Sequence, residues 1–290
     1  MGQIRSVGVL GAGMMGSDIA LSCGRAGFKV LMKEINMELA QAGYNNIKSS
    51  LDRWVSKGKL QLDEAGKKKT LEAVKPTDSF NGFEEVDLVI EAIFEDIKVK
   101  TDTYKELEKI CKPSCIIASN TSSISITKLG ASFKSPARRS QFVGMHFFSP
   151  AAIMKLVEVI KGEETAEDTV NFGLDFCKSI DKEPVKVIDC VGFIVNRILY
   201  ALDNEAMRLY EEGIATPEDI DKACRLGLGH PIGPFALMDL TSNELNYKVG
   251  KILYEAYGER FIPRPSLVKK VDAGHFGRKT GKGWFDYGKK

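Results

Sequence analysis

The feature that most constrains this chain lies in its first 34 residues. An apolar run, Val7-Gly8-Val9-Leu10, meets Gly11-Ala12-Gly13-Met14-Met15-Gly16, and a helical stretch, a second apolar run and Glu34 follow. Strand, G-x-G-x-x-G turn, helix, strand and terminal acid, in that order, are what a dinucleotide site requires. Gly11 makes the tight turn, Gly13 leaves room for a pyrophosphate, and Gly16 lets the helix lie close on the strand. The amides that open the helix at Met14 and Met15 point towards the phosphates, where the helix dipole favours negative charge. Glu34 is placed to accept a ribose 2′-hydroxyl and to repel a 2′-phosphate, so NAD is expected over NADP. Lys33 next to it pulls the other way.

The 290 residues suit one large domain or two smaller ones. Alternation of strands and helices continues to about residue 187. Strands are expected at 28–32, 86–92, 115–119, 142–146, 154–160 and 184–187. Residues 37–57 and 62–73 form a helical pair inserted after the second strand, and further helices fall at 96–111 and 166–179. Beyond residue 188 only helices are expected, at 192–212, after the Thr216-Pro217-Glu218-Asp219 cap, and at 242–257 and 267–273. The fold expected is α/β, Rossmann-type, with a mostly parallel sheet over 1–187, followed by an all-helical domain over 188–290.

Composition removes several functions. Lys plus Arg number 41 against 39 Asp plus Glu, so no overall field draws in nucleic acid or a membrane. No apolar run is long enough to span a bilayer. The six cysteines form no C-x-x-C pair and are not clustered with any of the three histidines, so no metal is expected. With no secretory segment recognisable, they read as reduced thiols of a cytoplasmic protein. Met1-Gly2-Gln3-Ile4-Arg5-Ser6 fits a myristoylation pattern, but the first strand follows so closely that no acylation is expected.

Candidate chemistry sits at strand ends. By alternation Met154, Leu156, Glu158 and Ile160 share one face, which puts a carboxylate among apolar neighbours. Burying it unpaired costs several kcal/mol. His146, at the end of the preceding strand, is the natural partner, and a touching His–carboxylate pair fixes the tautomer and supports an imidazolium. Asn120-Thr121-Ser122-Ser123 follows another strand; its hydroxyls either serve a ligand or cap the next helix, and capping is the expectation for Ser123. Asn196, among apolar residues on the first turns of a long helix, needs a partner or a ligand.

Taken together, the glycine-rich start, Asn120-Thr121-Ser122-Ser123, Met145-His146-Phe147-Phe148 through Met154-Lys155-Leu156-Val157-Glu158, Gly192-Phe193-Ile194-Val195-Asn196-Arg197 and Gly277-Arg278-Lys279-Thr280-Gly281-Lys282-Gly283 resemble the L-3-hydroxyacyl-CoA dehydrogenases. The likeness spans essentially the whole chain and is strongest to the short bacterial and archaeal 3-hydroxybutyryl-CoA dehydrogenases. It implies NAD-linked oxidation of an (S)-3-hydroxyacyl-CoA, with His146 as general base and Glu158 orienting it. Ser122 and Asn196 would hold the substrate oxygens. Glu34, Glu95, Lys100, Asn120, Ser122 and Lys279 would contact the dinucleotide, as would Ser149, although the pattern usually has asparagine there. Ser50, Arg53 and Lys57, on one face of the inserted pair, would meet the CoA phosphates, although by charge alone they also read as a solvated face. The likeness further implies a homodimer formed through the C-terminal domain, where Phe193, Ile198, Leu199, Leu202, Phe235 and Leu237 supply apolar surface. Two other readings stay open: a dehydrogenase of free β-hydroxy acids, and a non-catalytic NAD-binding or structural relative.

Overall fold

The computed structural model describes residues 5–288, and the myristoylation-like residues Met1 to Ile4 lie outside it. The chain divides into two compact units, 1–190 and 191–290.

The first unit is built on eight strands: β1 (Ser6–Leu10), β2 (Lys29–Lys33), β3 (Val74–Thr77), β4 (Leu88–Glu91), β5 (Ile116–Ser119), β6 (Phe142–Phe147), β7 (Leu156–Lys161) and β8 (Glu183–Ile188). Its helices are α1 (Met14–Arg25), α2 (Met37–Ser56), α3 (Glu64–Glu72), α4 (Ile97–Ile110), α5 (Ile126–Gly130), α6 (Pro136–Ser140) and α7 (Glu167–Ser179). The sheet order is β3-β2-β1-β4-β5-β6-β7-β8. Every pairing is parallel except β6 with β7. Strands buried on both faces read as continuous apolar runs, which is why β1, β4 and β5 carry Val7-Gly8-Val9-Leu10, Leu88-Val89-Ile90 and Ile116-Ile117-Ala118. One core joins them: Val7, Val9 and Ile90 from the sheet pack with Ile19 and Leu21 of α1, Ile47 of α2 and Phe176 of α7. The inserted pair α2–α3 reverses at Gly58, whose φ of 65° suits glycine.

The second unit is helical: α8 (Val195–Glu211), α9 (Pro217–Gly227), α10 (Pro234–Thr241), α11 (Asn243–Tyr257) and α12 (Pro265–Asp272). Thr216 caps α9 by accepting the Asp219 amide, as the Thr-Pro-Glu-Asp signature requires. Met207, Phe235, Met238, Leu267 and Trp284 form its main core. The last glycine motif closes on Asp239. A Cβ at Gly277 would lie 2.3 Å from the Asp239 carbonyl, and one at Gly283 would lie 2.0 Å from its carboxylate. That carboxylate accepts from the Trp284 and Phe285 amides and from the Tyr287 hydroxyl.

Several local expectations need correction. Strand β3 was not expected, because Val74-Lys75-Pro76-Thr77 is short and contains proline; its place at the sheet edge is what tolerates Pro76. Met154 is not on the buried face of β7 but in the turn before it, and it is 44% exposed. Gly192 does not open a helix: Gly192 and Phe193 both have positive φ, 77° and 47°, so the chain bends before α8 begins at Val195. Ser125, not Ser123, caps α5, by accepting the Lys128 amide. Phe193 and Phe235 are buried, 2% and 0% exposed, and give no surface for association.

Candidate active site

Strand β1 runs into a turn that only these glycines allow. Gly11 has φ of 95°, and a Cβ there would sit 2.4 Å from the Ala92 carbonyl oxygen. A Cβ on Gly16 would lie 1.9 Å from the Gly11 carbonyl, so α1 could not rest on the turn. Gly13 is different: a Cβ would meet nothing within 4 Å. Its missing side chain serves the open side, where a ligand approaches, rather than packing. Gly13 also precedes α1 as its N-cap and makes no side-chain cap, leaving the Met14, Met15 and Gly16 end of the helix as an anion site. Glu34, at the tip of β2, accepts from the Ala12 and Ile35 amides, each at 2.9 Å, which fixes its carboxylate beside the turn. The Lys33 ammonium is directed to the Glu34 carbonyl and over the Phe80 ring, 4.5 Å from its centroid. A glycine cradle open on the ligand side, a helix N-terminus and a fixed acid fit a dinucleotide.

A second cluster is largely internal. Glu91, the last residue of β4, is fully buried and is held by the Lys100 ammonium at 2.6 Å, the Ser119 hydroxyl at 2.8 Å and the Tyr104 hydroxyl. Lys100 also pairs with Glu95 at 3.2 Å. Lys100 is 1% exposed, so its influence on any ligand passes through Glu95. Burial alone would raise the Glu95 pKa. Lys100 and hydrogen bonds from Thr121, Ser123 and Ser122 outweigh that and hold it below its ordinary value. One oxygen of Glu95 accepts from the Thr121 hydroxyl at 2.6 Å, the Ser122 amide at 3.0 Å and the Ser123 hydroxyl at 2.9 Å. The loop carrying Ser122 is therefore gathered on one carboxylate. Sequence reasoning picked out Glu95 and Lys100 only through likeness and missed Glu91, Tyr104 and Ser119. Asn120 accepts the Phe147 amide at 2.8 Å and so ties the end of β5 to the end of β6.

The antiparallel β6–β7 pair sets His146 directly opposite Glu158. Glu158 is fully buried and His146 is 6% exposed. The imidazole Nδ1 lies 2.7 Å from Glu158 Oε2. A carboxylate only accepts, so Nδ1 donates in this contact. Phe148 packs 4.6 Å from the imidazole, between ring centroids. The connection between the strands is clamped from both sides. Asp18 accepts backbone amides of Ala151 and Ala152, and the buried Lys182 ammonium donates to the carbonyls of Ala151 and Met154. Neither residue stood out in the sequence, because each acts on backbone far away in the chain.

The other expected residues are dispersed. Ser149 is exposed and its hydroxyl lies 3.6 Å from Met14 Sδ, beside the glycine turn. On α2, Ser50 is half-buried while Arg53 and Lys57 are exposed, both near the Trp54 ring. In the second unit, Asn196 is half-buried on the first turn of α8 and Lys279 is exposed in a short 3-10 turn. Among the described residues no group of three or more His, Cys, Asp or Glu is arranged to hold a metal ion, and no helix is long and apolar enough to cross a membrane.

Comparison with known proteins places this geometry. Residues 6–190 match the family described as "3-hydroxyacyl-CoA dehydrogenase, NAD binding domain", and residues 192–287 match "3-hydroxyacyl-CoA dehydrogenase, C-terminal domain". The chain is 40% identical over 289 residues to a probable 3-hydroxybutyryl-CoA dehydrogenase of Bacillus subtilis, covering 99% of each. It is 39% identical to the 3-hydroxybutyryl-CoA dehydrogenase of Clostridioides difficile, over 97% of this chain and 99% of that one. Among solved structures, the (S)-3-hydroxybutyryl-CoA dehydrogenase of Ralstonia eutropha superposes with a TM-score of 0.93 at 41% identity, covering 99% of this chain and 100% of that one. With both domains matched in order over nearly the whole chain, the chain belongs to the 3-hydroxyacyl-CoA dehydrogenase family and binds NAD.

Proposed function

We propose that this protein catalyses reversible oxidation of a short-chain (S)-3-hydroxyacyl-CoA, 3-hydroxybutyryl-CoA above all, to the 3-oxoacyl-CoA. The observation that carries this reading is the buried His146–Glu158 pair at 2.7 Å. When bound, NAD supplies the acceptor for the hydride that leaves C3. His146 Nε2 takes the 3-hydroxyl proton as the carbonyl forms, and Glu158 offsets the positive charge that develops on the ring. In the reverse direction the imidazolium returns that proton to the carbonyl oxygen. Ser122, on the loop gathered by Glu95, hydrogen-bonds a substrate oxygen. Asn196 is assigned to the substrate and Lys279 to the dinucleotide on family likeness, as Ser50, Arg53 and Lys57 are to the CoA phosphates.

The same reading makes the protein a cytoplasmic homodimer. Ile198, Leu226 and Leu228 support association through the second unit, being 66%, 76% and 63% exposed. The activity is tested by following NADH absorbance with acetoacetyl-CoA and with free acetoacetate. Consumption with the thioester and little with the free acid is expected. The reverse preference would make the protein a free-acid dehydrogenase, and no turnover of either would make it a non-catalytic relative.

A further inference from the structure

A cavity of about 290 Å³ opens on the first unit, lined by the reversal after α2, the β6–β7 connection, the end of α1 and the turn into β8. Four cations line it, Arg25, Lys59, Lys155 and Lys182, against a single carboxylate, Asp181. Asp181 is shared between Arg25 at 3.0 Å and Lys155 at 2.6 Å. Among the described residues no carboxylate lies within ion-pair distance of Lys59 or Lys182. Exposed pairs such as those of Asp181 contribute little and exchange readily. Arg25 also keeps guanidinium donors beyond the one given to Asp181.

Lys182 forms the buried floor, 3% exposed, with two donors fixed on the Ala151 and Met154 carbonyls. Burial first, then repulsion from Arg25 and Lys155, pull its pKa down to about 8. Asp181 and Asp18 act against that shift without reversing it, and the cavity lining keeps an excess of cations. The cavity also continues the basic end of α2: Lys57, which follows Arg53 on that helical face, immediately precedes Gly58 and Lys59, which line it. Arg53 acts on Asp18, whose carboxylate holds the Ala152 amide at the cavity wall.

We propose that this cavity is a phosphate site that takes the phosphorylated ADP end of the acyl-CoA, gripped by Arg25, Lys59 and Lys155 above Lys182. The proposal rests on the substrate reading given above and extends the basic face of α2 to residues that reading does not include. Phosphate oxygens suit the site, because charge-assisted bonds to Arg and Lys are strong and Arg can engage two oxygens at once.

The test compares acetoacetyl-CoA with acetoacetyl-pantetheine, which carries the same thioester without phosphates, in wild type, Arg25→Ala, Lys155→Ala and Lys155→Arg. The preference for the CoA thioester, as a ratio of kcat/KM values, should fall about fivefold or more in each alanine variant. Lys155→Arg should restore much of it. An unchanged ratio in both alanine variants overturns the proposal. Adenosine 3′,5′-bisphosphate should compete with acetoacetyl-CoA in wild type and compete less well in the variants. If inorganic phosphate competes as well as the bisphosphate, the site takes free phosphate and the CoA assignment falls. If wild type turns over neither thioester, the activity reading fails. Calorimetry with the bisphosphate then decides the cavity alone: weaker binding in the variants retains a phosphate site, and equal binding removes it.

Discussion

His146 and Glu158 show how one register decides chemistry. Each is a single polar residue in an apolar strand, and both are excluded from water, so either alone would be costly to bury. Set opposite each other in an antiparallel pair, they satisfy one another, with Nδ1 held on the carboxylate. Glu95 works differently, as a fixed acceptor that organises a loop. Its pKa is held below the ordinary value, so its stabilising contribution is complete at neutral pH and is lost as pH falls through that lowered value. Glu95→Gln should therefore lower the thermal midpoint at pH 7, while the gap to wild type closes as acid protonates the carboxyl below its ordinary range. Thermal scans across that range check it, and a constant gap would mean that Glu95 acts through shape alone.

At the scale of elements, the first βαβ unit separates two uses of glycine. Gly16 is a packing glycine, and a Cβ there would overlap the Gly11 carbonyl; Gly13 faces open space. Gly16→Ala should lose stability, by about 1–3 kcal/mol for overpacking. Gly13→Ala should keep the wild-type melting temperature yet weaken NAD roughly tenfold or more. Calorimetric titration with NAD, alongside a thermal melt, separates the two effects, and wild-type NAD affinity in Gly13→Ala would place the pyrophosphate elsewhere. The same unit shows what a sequence discloses. The strand–turn–helix–strand order is local, and the alternation that buried Glu158 pointed directly to His146. Glu91 was hidden, because it reads as one more residue of a buried strand while its partners come from α4 and β5. Helix α10, Pro234-Phe235-Ala236-Leu237-Met238-Asp239-Leu240-Thr241, escaped notice because it is apolar nearly all round and shows no helical period. The clamp of Asp18 and Lys182 on residues 151–154 could not be read at all, since side chain and backbone meet only in the fold.

For the molecule as a whole, the two units carry different signals. The first announces itself by motif. The second announces itself by where its chemistry stops: Gly277 and Gly283 belong to a family motif, yet their immediate duty is to pack against Asp239. Its apolar surface was only partly legible, since Phe193 and Phe235 turn out to be core while Leu226 and Leu228 are largely exposed. Apolar side chains of that size in the open favour association. Sedimentation at micromolar concentration should give twice the chain mass of 32.0 kDa, with Leu226→Glu shifting the protein towards monomer. A single 32.0 kDa species in the wild type would remove the dimer.

The proton carrier is the point on which the catalytic account turns, and single-turnover kinetics measure it directly. Enzyme loaded with NADH is mixed with acetoacetyl-CoA and nicotinamide oxidation is followed in wild type and in His146→Gln. The variant should bind NADH as wild type does and transfer hydride on the order of a hundredfold more slowly. Transfer at the wild-type rate in His146→Gln would contradict the account.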